Sequence, residues 1–212
     1  MLEYQLIYRR HLPHIQPPGA ILFVTFRLAG SIPAAVQQEL MREARELDQR
    51  LAQIKNPAQR AAMAYREQKR LFGLWDAALD NATSGPRWLG DPQIAQLVYD
   101  SLLHRDGDVY DLDCFSILSN HGHVVFKPLL ETEETYYALA AIMQSLKGYT
   151  ARKANDILKR KGQFWQHESY DHVVRDEAEL LRIRRYVLEN PVKAGLVKHW
   201  DEWPWSYCKS FS

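Results

Sequence analysis

Two apolar runs, residues 109–118 and 121–126, stand either side of the polar pair Ser119-Asn120. So short a link between two β-forming runs leaves an antiparallel hairpin as the natural structure. A lone hairpin is barely stable in water, so its apolar face calls for further strands and helices. Residues 20–28 (AILFVTFRL), bounded by Pro17-Pro18-Gly19 and Gly30, supply a third buried strand.

Helical periodicity fills the remainder. Val36, Leu40, Ala44, Leu47, Leu51 and Ile54 recur at helical spacing until Asn56-Pro57 breaks the run. Tyr65, Leu71, Leu74, Trp75 and Leu79 mark a second helix. Together they predict an αα-hairpin inserted over residues 34–80. Asp91-Pro92 is an N-cap followed by a first-turn proline, opening a helix through Ile94, Leu97, Val98 and Leu102. Beyond Pro128 a long helix is expected to begin among Glu131, Glu133 and Glu134, with a buried stripe of Leu139, Ile142, Met143, Leu146 and Tyr149. Residues 163–167 read as a strand continuing irregularly to Val174. Asp176 and Glu179 have capping-box spacing at the head of a last helix, expected to end at Asn190 because Pro191 follows. This order predicts an α+β chain, a ferredoxin-like or split βαβ antiparallel sheet with helices on one face, in a single domain over residues 1–212.

Composition narrows the class of function. Of 212 residues, 46% are apolar and 25% charged, as in an ordinary soluble globular protein. No run has the length of a membrane span, and the first residues lack the texture of a signal peptide. Two cysteines, Cys114 and Cys208, are too few for a disulfide framework or a four-thiolate zinc site. A reduced, cytoplasmic protein is the expectation. A net charge of +1 gives no global sign of nucleic acid, yet Lys147, Arg152, Lys153, Lys159, Arg160 and Lys161 crowd one segment with only Asp156 among them. Such a cluster suits either phosphate contacts or a solvated helix face.

Two constellations could carry chemistry. His121 and His123, two apart on a strand, point to one face and can reach one ion; two exposed histidines at a strand end would read the same way. Tyr186 and Asn190, one turn apart beside the apolar arc of the last helix, could both face a cleft, or could be a packed ring and a helix-end cap. Tyr170, within Glu168-Ser169-Tyr170-Asp171-His172, is a competing tyrosine, although neighbours in sequence point in different directions. Six tryptophans are more than usual; Trp165, Trp203 and Trp205 could stack on bases or plug the edges of a small core.

Several segments together resemble the REP-associated tyrosine transposases, a branch of the single-tyrosine HUH transposases. Ser119-Asn120-His121-Gly122-His123 is similar to that family's hairpin signature. Trp165 through His172 is similar to its Trp-Gln and Tyr-Asp-His stretch, and Trp203-Pro204-Trp205-Ser206 to its ending. The block from Arg185 through Val197, with Tyr186 and Asn190-Pro191-Val192-Lys193, resembles the catalytic-tyrosine helix and is the most specific likeness. The resemblance covers residues 15–30 and 88–208 and leaves the helical insertion unassigned. One departure stands out: Gly122 replaces the usual bulky hydrophobe, which puts the rigidity of that strand in question.

The resemblance implies that His121, His123 and Asn190 ligate a divalent metal, Mg²⁺ or Mn²⁺, and that Tyr186 is the nucleophile rather than Tyr170. It implies Lys147, Arg152 and Lys153 on the DNA-facing side. The activity implied is cleavage and rejoining of single-stranded, hairpin-associated DNA through a 5′-phosphotyrosine intermediate, by a monomer or, as in other single-tyrosine HUH transposases, a dimer. A protein of the same fold that binds such DNA without cleaving it is the alternative. A hydrolase using His121 and His123 with His167 or His172 finds no obvious carboxylate ligand set in the sequence.

Overall fold

The computed structural model describes residues 7–9, 13–82 and 84–211, with side chains from residue 16 to residue 210. The chain forms two compact units, Gly30–Pro86, and Met1–Ala29 together with Arg87–Ser212.

The first unit holds the expected αα-hairpin, α1 (Ala34–Gln53) and α2 (Pro57–Asp80). Their boundary has a local cause. The Asn56 carboxamide oxygen accepts from the amides of Ala58 and Gln59, at 3.0 and 3.1 Å, and Pro57 takes the first helical position, where no amide donor is needed. Arg70 on α2 donates to Glu43 on α1 at 2.8 Å, tying the two helices along their polar faces.

In the second unit β1 (Ile7–Arg9) and β2 (Pro13–Ile15) make a small ribbon. The main sheet comprises β3 (Leu22–Arg27), β4 (Tyr110–Ile117), β5 (His121–Pro128), β6 (Tyr170–Val173) and β7 (Ser206–Cys208). Its order is β6-β3-β5-β4-β7, with every pairing antiparallel. Without β7 this is the split βαβ order, in which β5 of the hairpin inserts beside β3. The strand periodicity of two then sorts the sheet into two faces. Leu22, Val24, Phe26, Leu112, Phe115, Ile117, Val124 and Phe126 join the core with α3 (Pro92–Leu103) and α4 (Leu139–Ile157). The opposite face carries Phe23, Thr25, His123 and Val125, and there α5 (Glu177–Lys193) is anchored, so helices pack on both faces of the sheet rather than on one as expected. Arg184 of α5 clasps Asp113, the extra residue of a β-bulge between Leu112 and Cys114, in a two-pronged ion pair with one arm at 2.8 Å.

Four local expectations change. The helix after Pro128 starts only at Leu139: Thr132 and Thr135 close a turn in which the Glu131 amide donates to the Thr135 carbonyl at 2.8 Å, so the acidic residues lie ahead of the helix. Residues 163–167 are not a regular strand. They form a strap, bridged once at Leu28↔Trp165, that becomes β6 at Tyr170. The fifth strand, β7, has no counterpart in the sequence pattern, because three residues are too few to show a period. Finally, α5 runs through Pro191 to Lys193 and is closed by Gly195 at φ 69°. Pro191 forfeits one amide donor, but Ala194 N still reaches Asn190 O at 3.0 Å and Leu196 N reaches Pro191 O at 3.0 Å.

Candidate metal and tyrosine site

The hairpin turn places His121 and His123 on the α5 face of β5, both buried, at 1% and 0% exposure. Their Nε2 atoms face each other at 3.1 Å. The outer nitrogens are held separately. His121 Nδ1 donates to the Asn120 carboxamide oxygen at 2.7 Å, which leaves Nε2 with its lone pair. His123 Nδ1 lies 2.8 Å from Thr25 Oγ1, a hydroxyl able to donate or accept. Burial pushes the His121 pKa down to about 3, and burial, His121 and Lys193 hold His123 well below the ordinary imidazole value. Both rings are therefore neutral at pH 7 and available as ligands.

Asn190 completes this arrangement from α5. Its Nδ2 position lies 3.2 Å from His123 Nε2, while Oδ1 is buried with no hydrogen-bond partner among the described residues. A buried carboxamide oxygen without a donor costs about 1–3 kcal/mol unless something else satisfies it. Oxygen and nitrogen of an amide exchange by a simple flip, so Asn190 can present Oδ1 toward the histidines. Two nitrogens ~2.1 Å from a common ion would stand roughly 3.0–3.4 Å apart. The donor set of two neutral imidazoles and one amide oxygen thus fits a divalent metal, with Asn120 and Thr25 orienting the imidazoles from behind.

Tyr186 lies one turn before Asn190. Its ring is 5.4 Å from the His123 ring and 6.0 Å from Phe23, and the Lys193 ammonium sits 4.6 Å from its centroid. Phe23 in turn stacks on His123 at 5.7 Å. Tyr170 pairs in register with Thr25, itself paired with His123. It shares their face but stands two strands from the histidines, roughly 10 Å at ordinary strand spacing. His172 is bound to Glu179 at 3.1 Å, and His167 gives its carbonyl to Lys147 at 3.2 Å; neither joins the facing pair.

The glycine between the histidines has a steric reason. A Cβ on Gly122 would come within 2.7 Å of Phe26 Cζ, so the Phe26 ring occupies the space of the missing side chain. Phe26 packs edge-on to Trp165 at 5.1 Å, and Trp165 is held by its indole N–H to Thr150 at 2.8 Å. The strand is braced by its neighbour, and Trp165, 5% exposed, is core rather than a stacking platform.

The basic segment divides. Arg152 and Lys153 are exposed on α4. Lys147 is buried at 9%, and its ammonium donates to the carbonyls of Gln166 and His167 at 2.9 and 3.2 Å. The resemblance sets Lys147 with Arg152 and Lys153 on the DNA-facing side; its burial and two carbonyl bonds tie it to the strap.

Asn120 and Thr25 received no role from the sequence. Thr25 is nevertheless one of two polar residues in an otherwise apolar strand run, and a buried hydroxyl in such a run needs a partner.

No protein-family model matches the chain. Among curated proteins it is similar to one from Haemophilus influenzae named "Putative REP-associated tyrosine transposase", at 28% identity over 96 residues. That match spans 42% of this chain and 54% of the relative, so the chain matches about half the length of the curated protein. Among solved structures it is similar to one described as a REP-associated tyrosine transposase bound to a REP hairpin. That likeness covers 97% of this chain and 82% of the other, at a TM-score of 0.48 and 15% identity. The name of the curated relative agrees with the family that the sequence motifs resemble.

Proposed function

We propose that the chain is a metal-dependent, single-tyrosine DNA nicking and joining enzyme of the REP-associated tyrosine transposase kind. Its substrate would be single-stranded DNA next to a hairpin. The observation that carries this reading is one cluster: two neutral imidazoles facing at 3.1 Å, a carboxamide oxygen left without a donor, and a tyrosine ring 5.4 Å away.

In this reading His121, His123 and Asn190 hold a divalent ion, Mg²⁺ or Mn²⁺, which when bound polarises the scissile phosphate. Asn120 and Thr25 keep the imidazole lone pairs aimed inward. Tyr186 supplies the attacking oxygen. An unperturbed phenol has a pKa of about 10, so the proton must leave as attack proceeds. The Tyr186 Oη–P bond forms as the P–O3′ bond breaks, and the net transfer moves the phenolic proton to the departing 3′-hydroxyl. The phosphodiester energy stays in the 5′-phosphotyrosine, so the reverse attack rejoins strands without ATP. Arg152 and Lys153 offer phosphate contacts on α4, and Lys147 holds the strap beside them.

The alternative, a DNA-binding protein without activity, finds its main support in the Gly122 departure. The Phe26 ring, filling the space a Cβ would take, supplies a packing reason for glycine at that position. The test is incubation with end-labelled hairpin-bearing single-stranded DNA and Mn²⁺, followed by a denaturing gel. A covalent adduct in wild type and none in Tyr186→Phe is expected; strong binding with no adduct in wild type favours the inactive reading.

A further inference from the structure

The continuation of α5 through Pro191 places Lys193 seven residues, two helical turns, beyond Tyr186. At 3.6 residues per turn the two lie within about 20° of one another on the helix. Helical side chains lean toward the N-terminus, which sends the lysine stem back over the tyrosine. Its ammonium accordingly stands 4.6 Å from the Tyr186 ring centroid. Its charge also reaches His123, where it helps keep the imidazole neutral.

Lys193 is solvent-exposed, and no carboxylate lies within ion-pair distance of it among the described residues. Other cations near the sheet are matched by acids: Arg184 by Asp113, and Lys209 by Asp111. An unmatched ammonium at the edge of a site built to hold a second positive charge is electrostatically unfavourable. An anion between the two reverses the sign of that interaction.

We propose that Lys193 is a catalytic residue, the cation that contacts a non-bridging oxygen of the scissile phosphate while Tyr186 attacks it and after the phosphotyrosine has formed. This rests on the assignment of Tyr186 as nucleophile. Lys193 keeps its proton throughout. It offsets charge on the phosphoryl oxygens as the Oη–P bond forms and the P–O3′ bond breaks, and the proton balance of the reaction is unchanged. The aromatic face is its resting place, because a cation over a π-face is held weakly and is easily released to a stronger partner.

The test uses the full chain as wild type, Lys193→Ala and Lys193→Arg. Single-turnover adduct formation at saturating hairpin DNA in Mn²⁺ should fall on the order of 10- to 100-fold in Lys193→Ala, below the range for a fully buried donor, and recover in large part in Lys193→Arg. A second arm needs no activity. In a Tyr186→Phe background, an oligonucleotide bearing a 5′-phosphate should bind on the order of tenfold more tightly than its 5′-hydroxyl twin, with and without EDTA. Lys193→Ala should abolish that preference and leave binding of the 5′-hydroxyl strand alone. Wild-type adduct rates in Lys193→Ala, or equal loss of affinity for both oligonucleotides, would overturn the proposal. If wild type forms no adduct, the nucleophile assignment falls. The second arm then still decides whether Lys193 holds a phosphate.

Discussion

The Asn190 carboxamide meets His123 Nε2 at 3.2 Å, joining residues 67 positions apart across the boundary between α5 and the sheet. This contact sets the depth and rotation of α5 on β5. Tyr186, one turn earlier on the same helix, is carried to the histidines by it, with the Asp113–Arg184 pair as the other anchor.

The nucleophile is tested by two conservative changes. Tyr186→Phe should abolish the covalent adduct with little change in DNA affinity, since one hydroxyl is lost and the ring keeps its contacts with Phe23 and His123. Tyr170→Phe should form adduct, because Tyr170 stands two strands away. The reverse pattern on a denaturing gel would assign the chemistry to Tyr170.

For the metal, His121→Ala and His123→Ala should each lower Mn²⁺ affinity and nicking together, as measured by calorimetry and gel. Asn190→Ala should have a smaller effect on affinity, because an amide oxygen is a weaker ligand than imidazole. Asn120→Ala and Thr25→Val should weaken Mn²⁺ binding roughly 10- to 100-fold, the usual range for groups that orient a ligating imidazole. Undiminished nicking by the double histidine variant in EDTA would eliminate the metal from the mechanism.

The same histidines make stability depend on pH without metal. Their folded pKa values lie below the unfolded value, His121 at about 3, so the unfolded chain binds more protons as pH falls. Stability is full above pH ~6.5 and is lost toward pH ~3, with roughly 2 kcal/mol lost from His121 by pH 5 and a further loss of the same sign from His123. Denaturant titrations at pH 7 and pH 5 measure this, with His121→Gln/His123→Gln as the reference. A wild type no more acid-sensitive than that variant would mean the imidazoles are solvated.

Gly122 and Phe26 share one volume. Gly122→Val should destabilise by about 1–3 kcal/mol through overpacking, and Phe26→Ala by about 3–5 kcal/mol through the cavity it leaves. Combined, they should cost well below the sum, since each relieves the other. Additive losses in urea denaturation would show that the two side chains do not compete for space.

The basic segment separates by salt dependence. Neutralising Arg152 and Lys153 should flatten the slope of log affinity for single-stranded DNA against log salt by up to about 1.4, at 0.7 per phosphate contact. Lys147→Ala should leave the slope nearly unchanged and lower thermal stability, since its ammonium is bound to Gln166 and His167. A slope change from Lys147→Ala equal to that of Arg152→Ala would return Lys147 to the DNA-facing set.

Much of this architecture is local and so was readable along the chain. Strand alternation places His121 and His123 on one side whatever packs against them, and helical spacing places Tyr186 and Asn190 together. Asn56-Pro57 and Asp91-Pro92 start helices by hydrogen bonds that span two or three residues. These features depend on backbone geometry alone, and the αα-hairpin and the β-hairpin follow from them. Where the sequence misled, the deciding partner was distant. Pro191 costs the helix only its own amide donor, while Asn190 and Pro191 still accept from Ala194 and Leu196, so the chain keeps its helical path to Lys193. Lys147 belongs to a basic run in sequence but points inward, because the strap lies 19 residues further along the chain. Gly122 is explained by Phe26, nearly a hundred positions earlier, and the imidazoles are aimed by Thr25 on β3 as much as by Asn120 beside them. The sequence by itself determined which elements form and which side chains share a face. Only the tertiary structure decided which of those faces meet, because α5 and β5 are joined by contacts between residues that no periodicity in the chain relates.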